Sequence, residues 1–197
     1  MAPRRTKQEQ SESTRAALMG VARRLFGERG YAGTATEDIV AGAGVTRGAL
    51  YHQFKDKRDL FIAVLDQIQL EVLGRLGAAA AQAPTASPLQ QLRRAFQMYL
   101  DITMEPEVQR IVLLDGRSVL GWGEWQRMEE AHGLPVVVGA LEAAMAAGEI
   151  ERQPAEPLAH LLLGAVNEAA FNIAASDDPA GSRQQLGAAL DRLVSRL

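Results

Sequence analysis

The stretch from residue 46 to residue 54 carries side chains whose types and spacing suit contact with a nucleic acid. Leu50 and Phe54 lie four residues apart, which places both on one buried face of a helix. The outer face then presents Arg47, Gly48, Ala49, Tyr51, His52 and Gln53. Small side chains permit close approach to base edges, and arginine offers a fork of donors to guanine. The pattern predicts a helix that reads the major groove of double-stranded DNA.

Further groups that suit phosphate surround this helix. Tyr51 and His52 can donate hydrogen bonds to phosphate oxygens or contact a thymine methyl group, and Lys55, Lys57 and Arg58 follow immediately. Such cations neutralise phosphate and fix the position of a protein on the duplex. The alternative is an ordinary solvated helix without a partner, but the turn before the helix and the basic run after it favour DNA.

The preceding residues supply the elements that must position this helix. Thr34 with Glu37 has the spacing of a capping box, which predicts a first helix from Thr34 to about Ala41. The turn Gly42–Val45 contains two glycines, which can adopt the backbone conformation that ends a helix. Thr46 is the predicted N-cap of the second helix. Together they predict a helix-turn-helix.

These residues resemble the DNA-binding domain of the TetR family of bacterial transcriptional regulators. The resemblance covers roughly residues 13 to 62, and its motif comprises Gly30-Tyr31, Thr34, Ile39, Gly44-Val45, Gly48, Leu50-Tyr51, Phe54, Lys57 and Leu60-Phe61. It implies that the helix Thr46–Phe54 enters the major groove and that Tyr51 and Lys57 contact phosphate. It also implies a phosphate contact by the Thr36 hydroxyl, whereas Arg47, Ala49 and His52 occupy positions that vary within the family.

Charge divides the chain in the same place. Residues 1–58 hold 11 Lys and Arg against 6 Asp and Glu, whereas residues 59–197 hold 10 against 18. A basic end that coincides with the helix-turn-helix is the expected electrostatic footprint of DNA binding. We therefore expect a flexible basic arm at 1–12, a DNA-binding domain at 13–58, and an effector-binding and dimerisation domain at 59–197. Arg4, Arg5 and Lys7 of the arm are candidates for additional DNA contacts.

Composition excludes several other classes of protein. The 197 residues include no cysteine and three scattered histidines, so disulfides, thiol nucleophiles and the usual zinc patterns are not expected. We predict no metal and no cofactor. The chain has no long uncharged apolar run, which predicts a soluble, cytoplasmic protein without a membrane span.

Helical periodicity continues through the remainder of the chain, and no segment alternates as a half-buried strand would. We predict an all-α fold of nine or ten helices, in which a three-helix DNA-binding domain precedes a larger helical domain. The predicted helices span Glu12–Arg29, Thr34–Ala41, Thr46–Phe54, Lys57–Ala83, Ser87–Thr103, Glu105–Gly116, Val119–Gly148, Pro157–Ser176 and Asp178–Leu197. Gly133-Leu134-Pro135 predicts a kink or break within the seventh.

The last two predicted helices have apolar faces that could pair with those of a second copy. The candidate interface residues are Leu158, Leu161, Leu162, Ala165, Ala169, Leu186, Leu190 and Leu193. Two such helices from each chain would form a four-helix bundle, although the same faces could instead be buried within one chain. The resemblance favours a homodimer, which would place two recognition helices on a pseudo-palindromic operator.

Large, adaptable side chains occur in the middle helices. Those predicted to line a ligand pocket are Phe96, Tyr99, Trp122, Trp125, Met128 and Asn167. The resemblance implies that these helices enclose a small organic effector, and such side chains suit a mostly apolar pocket. The alternative, favoured for any one of these residues taken singly, is that they are ordinary core residues.

The sequence thus predicts a homodimeric transcriptional regulator, acting as a repressor that an unidentified small organic effector releases from its operator. One alternative is a constitutive DNA-binding protein without an effector. Another is an all-helical enzyme that uses His132 near Glu124, Glu129 and Glu130, although no nucleophile or phosphate loop accompanies that cluster. A closed apolar cavity would favour the ligand-regulated protein over both.

Overall fold

A computed structural model describes residues 6–83 and 85–197, and within these ranges the chain is helical and has no β-strand. The all-α prediction is therefore confirmed. The ten α-helices are α1 Lys7–Arg29, α2 Thr36–Ala43, α3 Arg47–Gln53, α4 Lys57–Ala81, α5 Pro88–Ile102, α6 Pro106–Val108, α7 Arg117–Leu120, α8 Trp122–Ala146, α9 Ala155–Ala174 and α10 Pro179–Val194. A π-helical segment, Gln109–Gly116, connects α6 to α7.

The first helix begins earlier than predicted. The Thr6 hydroxyl accepts a hydrogen bond from the Glu9 amide (3.2 Å), and the Glu9 carboxylate accepts one from the Thr6 amide (2.7 Å). This capping box starts α1 at Lys7, so the prediction of a flexible arm extending to residue 12 is wrong for residues 7–12. Arg4 and Arg5 lie outside the described residues.

The helix-turn-helix is held together by α1 and α4. We call α1, α2, α3 and the first turns of α4 the head. Its centre is formed by the fully buried residues Leu18, Phe26, Ile39, Leu50 and Phe61. Gly44 ends α2 with a left-handed φ of 65°, and Thr46 begins α3 by accepting a hydrogen bond from the Ala49 amide at 3.2 Å. The predicted turn and the predicted cap of the second helix are therefore both present.

The predicted cap of the first helix of this motif is wrong. Thr34 is buried, and its hydroxyl donates to the carbonyl oxygens of Leu25 and Gly30 at the end of α1. Helix α2 instead begins after Ala35, without a side-chain cap. The shorter contact, 2.8 Å, gives a donor to the Gly30 carbonyl just beyond the end of α1, and Glu37 is left available for another contact.

The larger domain packs α4, α5, α8, α9 and α10 around one continuous core. The predicted break at Pro135 is absent, because α8 runs from Trp122 to Ala146 through that residue. Burial of Val137 and Leu141 against neighbouring helices outweighs the local cost of proline, about 3 kcal/mol. The actual interruption lies earlier, at Gly121, whose φ of 76° separates α7 from α8.

The π-helical segment replaces the second half of the helix predicted to run from Glu105 to Gly116. Its buried residues Ile111, Val112 and Leu113 face the core. A side chain at Gly116 would lie 3.1 Å from the Ile111 carbonyl oxygen and 3.4 Å from Leu65, so glycine permits close packing on α4. Among the described helices, none is long and apolar enough to span a membrane.

Candidate functional site

Helix α3 presents its polar face to solvent because its apolar face is anchored in the head. Leu50 and Phe54 are buried, whereas Arg47, Gly48, Tyr51 and His52 are exposed. Thr46 and Lys55, at either end of the helix, are also exposed, and Ala49 is half-buried. The predicted outer face is thus assembled on one surface of the head.

Arg47 is positioned on that surface by two neighbours. Its Nη1 lies 3.0 Å from Oε1 of Glu37 on α2, and its Nη2 donates to the Tyr51 hydroxyl at 3.4 Å. The Tyr51 hydrogen bond, followed by the negative charges nearby, raises the pKa of Arg47. The guanidinium is therefore charged and held in an exposed position by Glu37 and Tyr51.

Lys57, to which the resemblance gives a phosphate contact, is engaged inside the head. Its ammonium donates to the carbonyl oxygens of Tyr31 (3.0 Å) and Thr34 (2.9 Å) and lies 4.1 Å from the centre of the Tyr31 ring. Two of its three hydrogens are therefore used in holding the loop between α1 and α2. Thr36, the first residue of α2, is half-buried beside this loop.

Arg58 was also expected to face phosphate, and the structure corrects this. Its guanidinium donates to the carbonyl oxygens of Val119 (3.2 Å) and Leu120 (3.4 Å) and to the Glu124 carboxylate (2.6 Å). Arg58 thus joins the start of α4 to α7 and α8, away from the exposed face of α3.

A cavity of about 90 Å³ lies in the larger domain. Its walls come from α4, α5, α6, the π-helical segment, α8 and α9. The lining residues are Gln69, Val72, Leu73, Leu76, Leu92, Ala95, Phe96, Tyr99, Thr103, Val108, Val112, His132, Gly133, Val136, Val137, Leu163, Val166 and Asn167. Of the six predicted pocket residues, Phe96, Tyr99 and Asn167 are among them.

The other three predicted pocket residues lie elsewhere. Trp122 is 59% exposed and stacks on buried Trp125 with 6.2 Å between ring centroids. The Arg117 guanidinium lies 4.7 Å from the rings of both Trp122 and Phe171. Met128 packs against the core outside the cavity. These three residues were predicted to line the pocket but do not, because the residues of α8 that face the cavity begin at His132, ten positions after Trp122.

The polar side chains of the cavity lining are Gln69, Tyr99, Thr103, His132 and Asn167. Tyr99 on α5 donates its hydroxyl to Oδ1 of Asn167 on α9 at 2.9 Å. His132 on α8 has its Nε2 2.7 Å from Oδ1 of Asp66 on α4. The lining residues include no Lys, Arg, Asp or Glu. Sequence reasoning placed His132 in a possible catalytic cluster and missed its position in this wall.

Two acidic residues of that hypothetical cluster, Glu124 and Glu130, have other partners than His132. Glu124 pairs with Arg58, and Glu130 accepts a hydrogen bond from Gln126 at 3.0 Å. In the part of the chain that is described, no three His, Asp or Glu side chains form a group suited to a metal ion.

Polar contacts connect the head to the larger domain through the π-helical segment and its flanks. The Asp115 carboxylate accepts a hydrogen bond from the Tyr31 amide at 2.7 Å. Arg23 on α1 reaches both Glu71 on α4 and Glu107 on α6 at 2.8 Å. The Glu107 hydrogen bond is the largest influence on the pKa of Arg23, which is raised. A movement of this segment would therefore displace Tyr31 and Arg23, and with them α1.

The predicted dimer residues divide into two groups. Leu161 and Leu193 are 73% and 51% exposed, and Leu158, Ala165 and Leu186 are half-buried. Leu162, Ala169 and Leu190 are buried within the chain itself, which leaves little of their surface for a partner. An α9–α10 contact, together with the bidentate Arg93–Asp191 pair at 2.7 and 2.6 Å that ties α10 to α5, accounts for their burial.

Comparison with known proteins relates both domains to one family. Residues 18–64 match the description "Bacterial regulatory proteins, tetR family", and residues 89–197 match "Tetracyclin repressor-like, C-terminal domain". A solved TetR-family transcriptional regulator from Pectobacterium atrosepticum is 39% identical, with a TM-score of 0.83 over 96% of this chain and 95% of its own.

Two curated relatives align over different lengths. The HTH-type transcriptional regulator AcrR of Shigella flexneri is 37% identical over 110 residues, covering 56% of this chain and 50% of its own. The HTH-type transcriptional repressor BepR of Brucella suis is 33% identical over 174 residues, covering 83% and 81%. The chain spans about half the length of the first curated relatives it matches.

Proposed function

Because the chain belongs to the tetR family of bacterial regulatory proteins, we propose that it is a DNA-binding transcriptional regulator. It binds a double-stranded, pseudo-palindromic operator as a homodimer and represses transcription until a small organic effector occupies the cavity. The observation that carries this proposal is the exposed face of α3. Selection of duplexes from a random pool by the purified protein tests it.

The geometry of α3 supports insertion into a major groove. Gly48 at the start of the helix leaves the backbone accessible, and Arg47 beside it is charged and held by Tyr51. Recognition helices contact base edges through residues of their first turns. Tyr51, one turn later, and Lys55, after the helix, supply donors for phosphate.

A second copy of the chain is the partner that the exposed faces of α9 and α10 suit. Leu161 and Leu193 are large apolar side chains left in solvent, and Ala165 on the same helix as Leu161 permits close approach of another helix. A symmetric pair of chains would place two recognition helices one DNA turn apart, about 34–36 Å. Two half-sites together give useful specificity.

Replacing Leu161 with glutamate should convert the dimer into a monomer. The symmetric interface would receive two unpaired charges, each costing several kcal/mol when buried. Sedimentation equilibrium should report one chain per particle, and operator affinity should fall at least tenfold. Leu70→Glu is the matched control, because Leu70 is also an exposed leucine but lies on α4. Leu161→Glu protein that remains dimeric would remove this face from the interface.

The position of the π-helical segment supports a route by which a ligand could release the protein from DNA. Val108 and Val112 face the cavity, while Asp115 holds the Tyr31 amide and Glu107 holds Arg23. A ligand that shifts this segment changes the position of the head relative to the larger domain. The effector would thus favour a conformation in which two heads no longer match adjacent major grooves.

Replacing Asp115 with alanine should weaken the junction between the domains. The Tyr31 amide would lose its acceptor in a partly buried position, where the loss of a hydrogen bond costs about 1 kcal/mol or more. Urea denaturation should show a loss of this size in the free energy of unfolding. Asp101→Ala, which removes a surface pair with Arg183, should cost less than about 1 kcal/mol. Equal effects of the two substitutions would show that Asp115 does not secure the head.

A further inference from the structure

His132 lies where a ligand would pass from solvent into the cavity. It lines the wall formed by α8 together with Gly133 and Val136. Val136, one turn further along, is 53% exposed although it also lines the cavity, so it marks the mouth. The His132 ring is mostly buried, which places a polar ring near the rim of a mostly apolar space.

Asp66 fixes the hydrogen-bonding character of this ring. A carboxylate can only accept, so the 2.7 Å contact requires that Nε2 of His132 carries the hydrogen. In the neutral ring Nδ1 is then an acceptor, and the His132 ring that carries it lines the cavity. The cavity therefore offers an acceptor at its rim and prefers a ligand that donates.

The rest of the wall disfavours charged ligands. No cation among the lining residues could compensate a carboxylate or phosphate, and the Asp66 carboxylate lies directly behind His132. Burying an uncompensated charge is costly, whereas a single hydroxyl with one partner is tolerated. The volume of about 90 Å³ restricts the ligand to a compact molecule, since a cavity that holds benzene measures roughly 150 Å³.

We propose that the cavity selects small uncharged molecules with an apolar body and one hydroxyl group, which donates its hydrogen to Nδ1 of His132. Asp66 is the positioning residue that keeps Nδ1 an acceptor. This inference deepens the proposed function and rests on it in taking the cavity as the effector site. Phenols and compact alcohols are the chemical class that fits.

Calorimetric titration of the full chain with phenol, toluene and benzoate near neutral pH tests the proposal. Phenol and toluene have similar shapes, so the ratio of their affinities measures the contribution of the hydroxyl group to binding. We expect phenol to bind about 2- to 10-fold more tightly than toluene, and benzoate to bind at least tenfold more weakly than phenol. His132→Phe keeps a ring but removes the acceptor, so the ratio of phenol to toluene affinity should fall to about one.

His160→Phe is the matched control, because His160 is exposed on α9 and does not line the cavity. It should leave the phenol preference unchanged. A preference that survives His132→Phe, or benzoate binding as tight as that of phenol, would overturn the proposal. Failure of all three probes to bind would overturn it as well. Fluorescence anisotropy with DNA on the same samples would show whether the protein still binds its operator. Operator binding without binding of any probe would contradict the ligand proposal and leave the proposed DNA-binding function standing.

Discussion

Replacing Phe61 with alanine should lower the free energy of unfolding by about 3–5 kcal/mol. Phe61 on α4 is fully buried. Its ring packs edge-on against Phe26 and Tyr31, with centroids 5.2 and 5.1 Å apart and interplanar angles of 73°. These three rings join α1, the following loop and α4. Removing the central ring leaves a cavity where all three meet, and chemical denaturation measures the loss.

Leu70→Ala is the control for this prediction, because Leu70 lies on the same helix but is exposed. Exposed substitutions of this kind usually change stability by less than about 0.5 kcal/mol. Since domain stabilities are typically about 5–15 kcal/mol, the Phe61→Ala protein should also lose most of its DNA binding at moderate temperature. Equal stability losses for the two variants would contradict the assignment of the aromatic cluster as the support of the head.

Replacing Arg47 with alanine should weaken binding to the selected operator by about 1–3 kcal/mol for each half-site. The loss arises because the guanidinium, already oriented by Tyr51 and Glu37, offers donors to a base edge. A dimer would lose this contact twice. Fluorescence anisotropy with the operator and with single-base variants should show that the preference at one base pair of each half-site disappears.

Two matched substitutions separate base reading from simple electrostatics. Arg152→Ala removes an exposed arginine from the loop before α9 and should leave operator affinity unchanged. Lys55→Ala removes a cation beside α3 and should weaken binding about equally for all sequences, with a shallower salt dependence. If Arg47→Ala weakened all duplexes equally, Arg47 would be a phosphate contact rather than a base reader.

Local signals in the sequence were sufficient to predict α3 and its surroundings. Thr46 caps the helix, Gly44 ends the preceding one, and Leu50 and Phe54 are buried as their spacing predicts. Ser87 likewise begins α5, by accepting a hydrogen bond from the Gln90 amide. Each of these features depends on residues within one turn of each other, so the pattern alone determines them.

Features that depend on distant partners could not be predicted in this way. Thr34 and Lys57 both turn toward backbone carbonyls around the end of α1, although local spacing favoured a helix cap and a phosphate contact. The Asp66–His132 pair joins residues 66 positions apart. Only the packing of α4 against α8 brings the two side chains together.

The remaining differences from the sequence predictions depend on which face each helix turns toward its neighbours. Periodicity identified α9 and α10 as strongly apolar, but which leucines are exposed depends on where α5 packs. Leu162 and Leu190 face their own chain, whereas Leu161 and Leu193 do not. The two tryptophans similarly lie too early on α8 to line the cavity, because the lining residues of that helix begin at His132.

The central claim is that α3 reads DNA in a symmetric dimer, and selection of duplexes from a random pool tests it most directly. We predict enrichment of one pseudo-palindromic sequence with half-site centres about 10 base pairs, or a multiple of one helical turn, apart. Two chains should bind each duplex, and Arg47→Ala protein should select a site relaxed at one position per half. A pool that shows no enrichment, while the protein is folded and dimeric, would contradict the account.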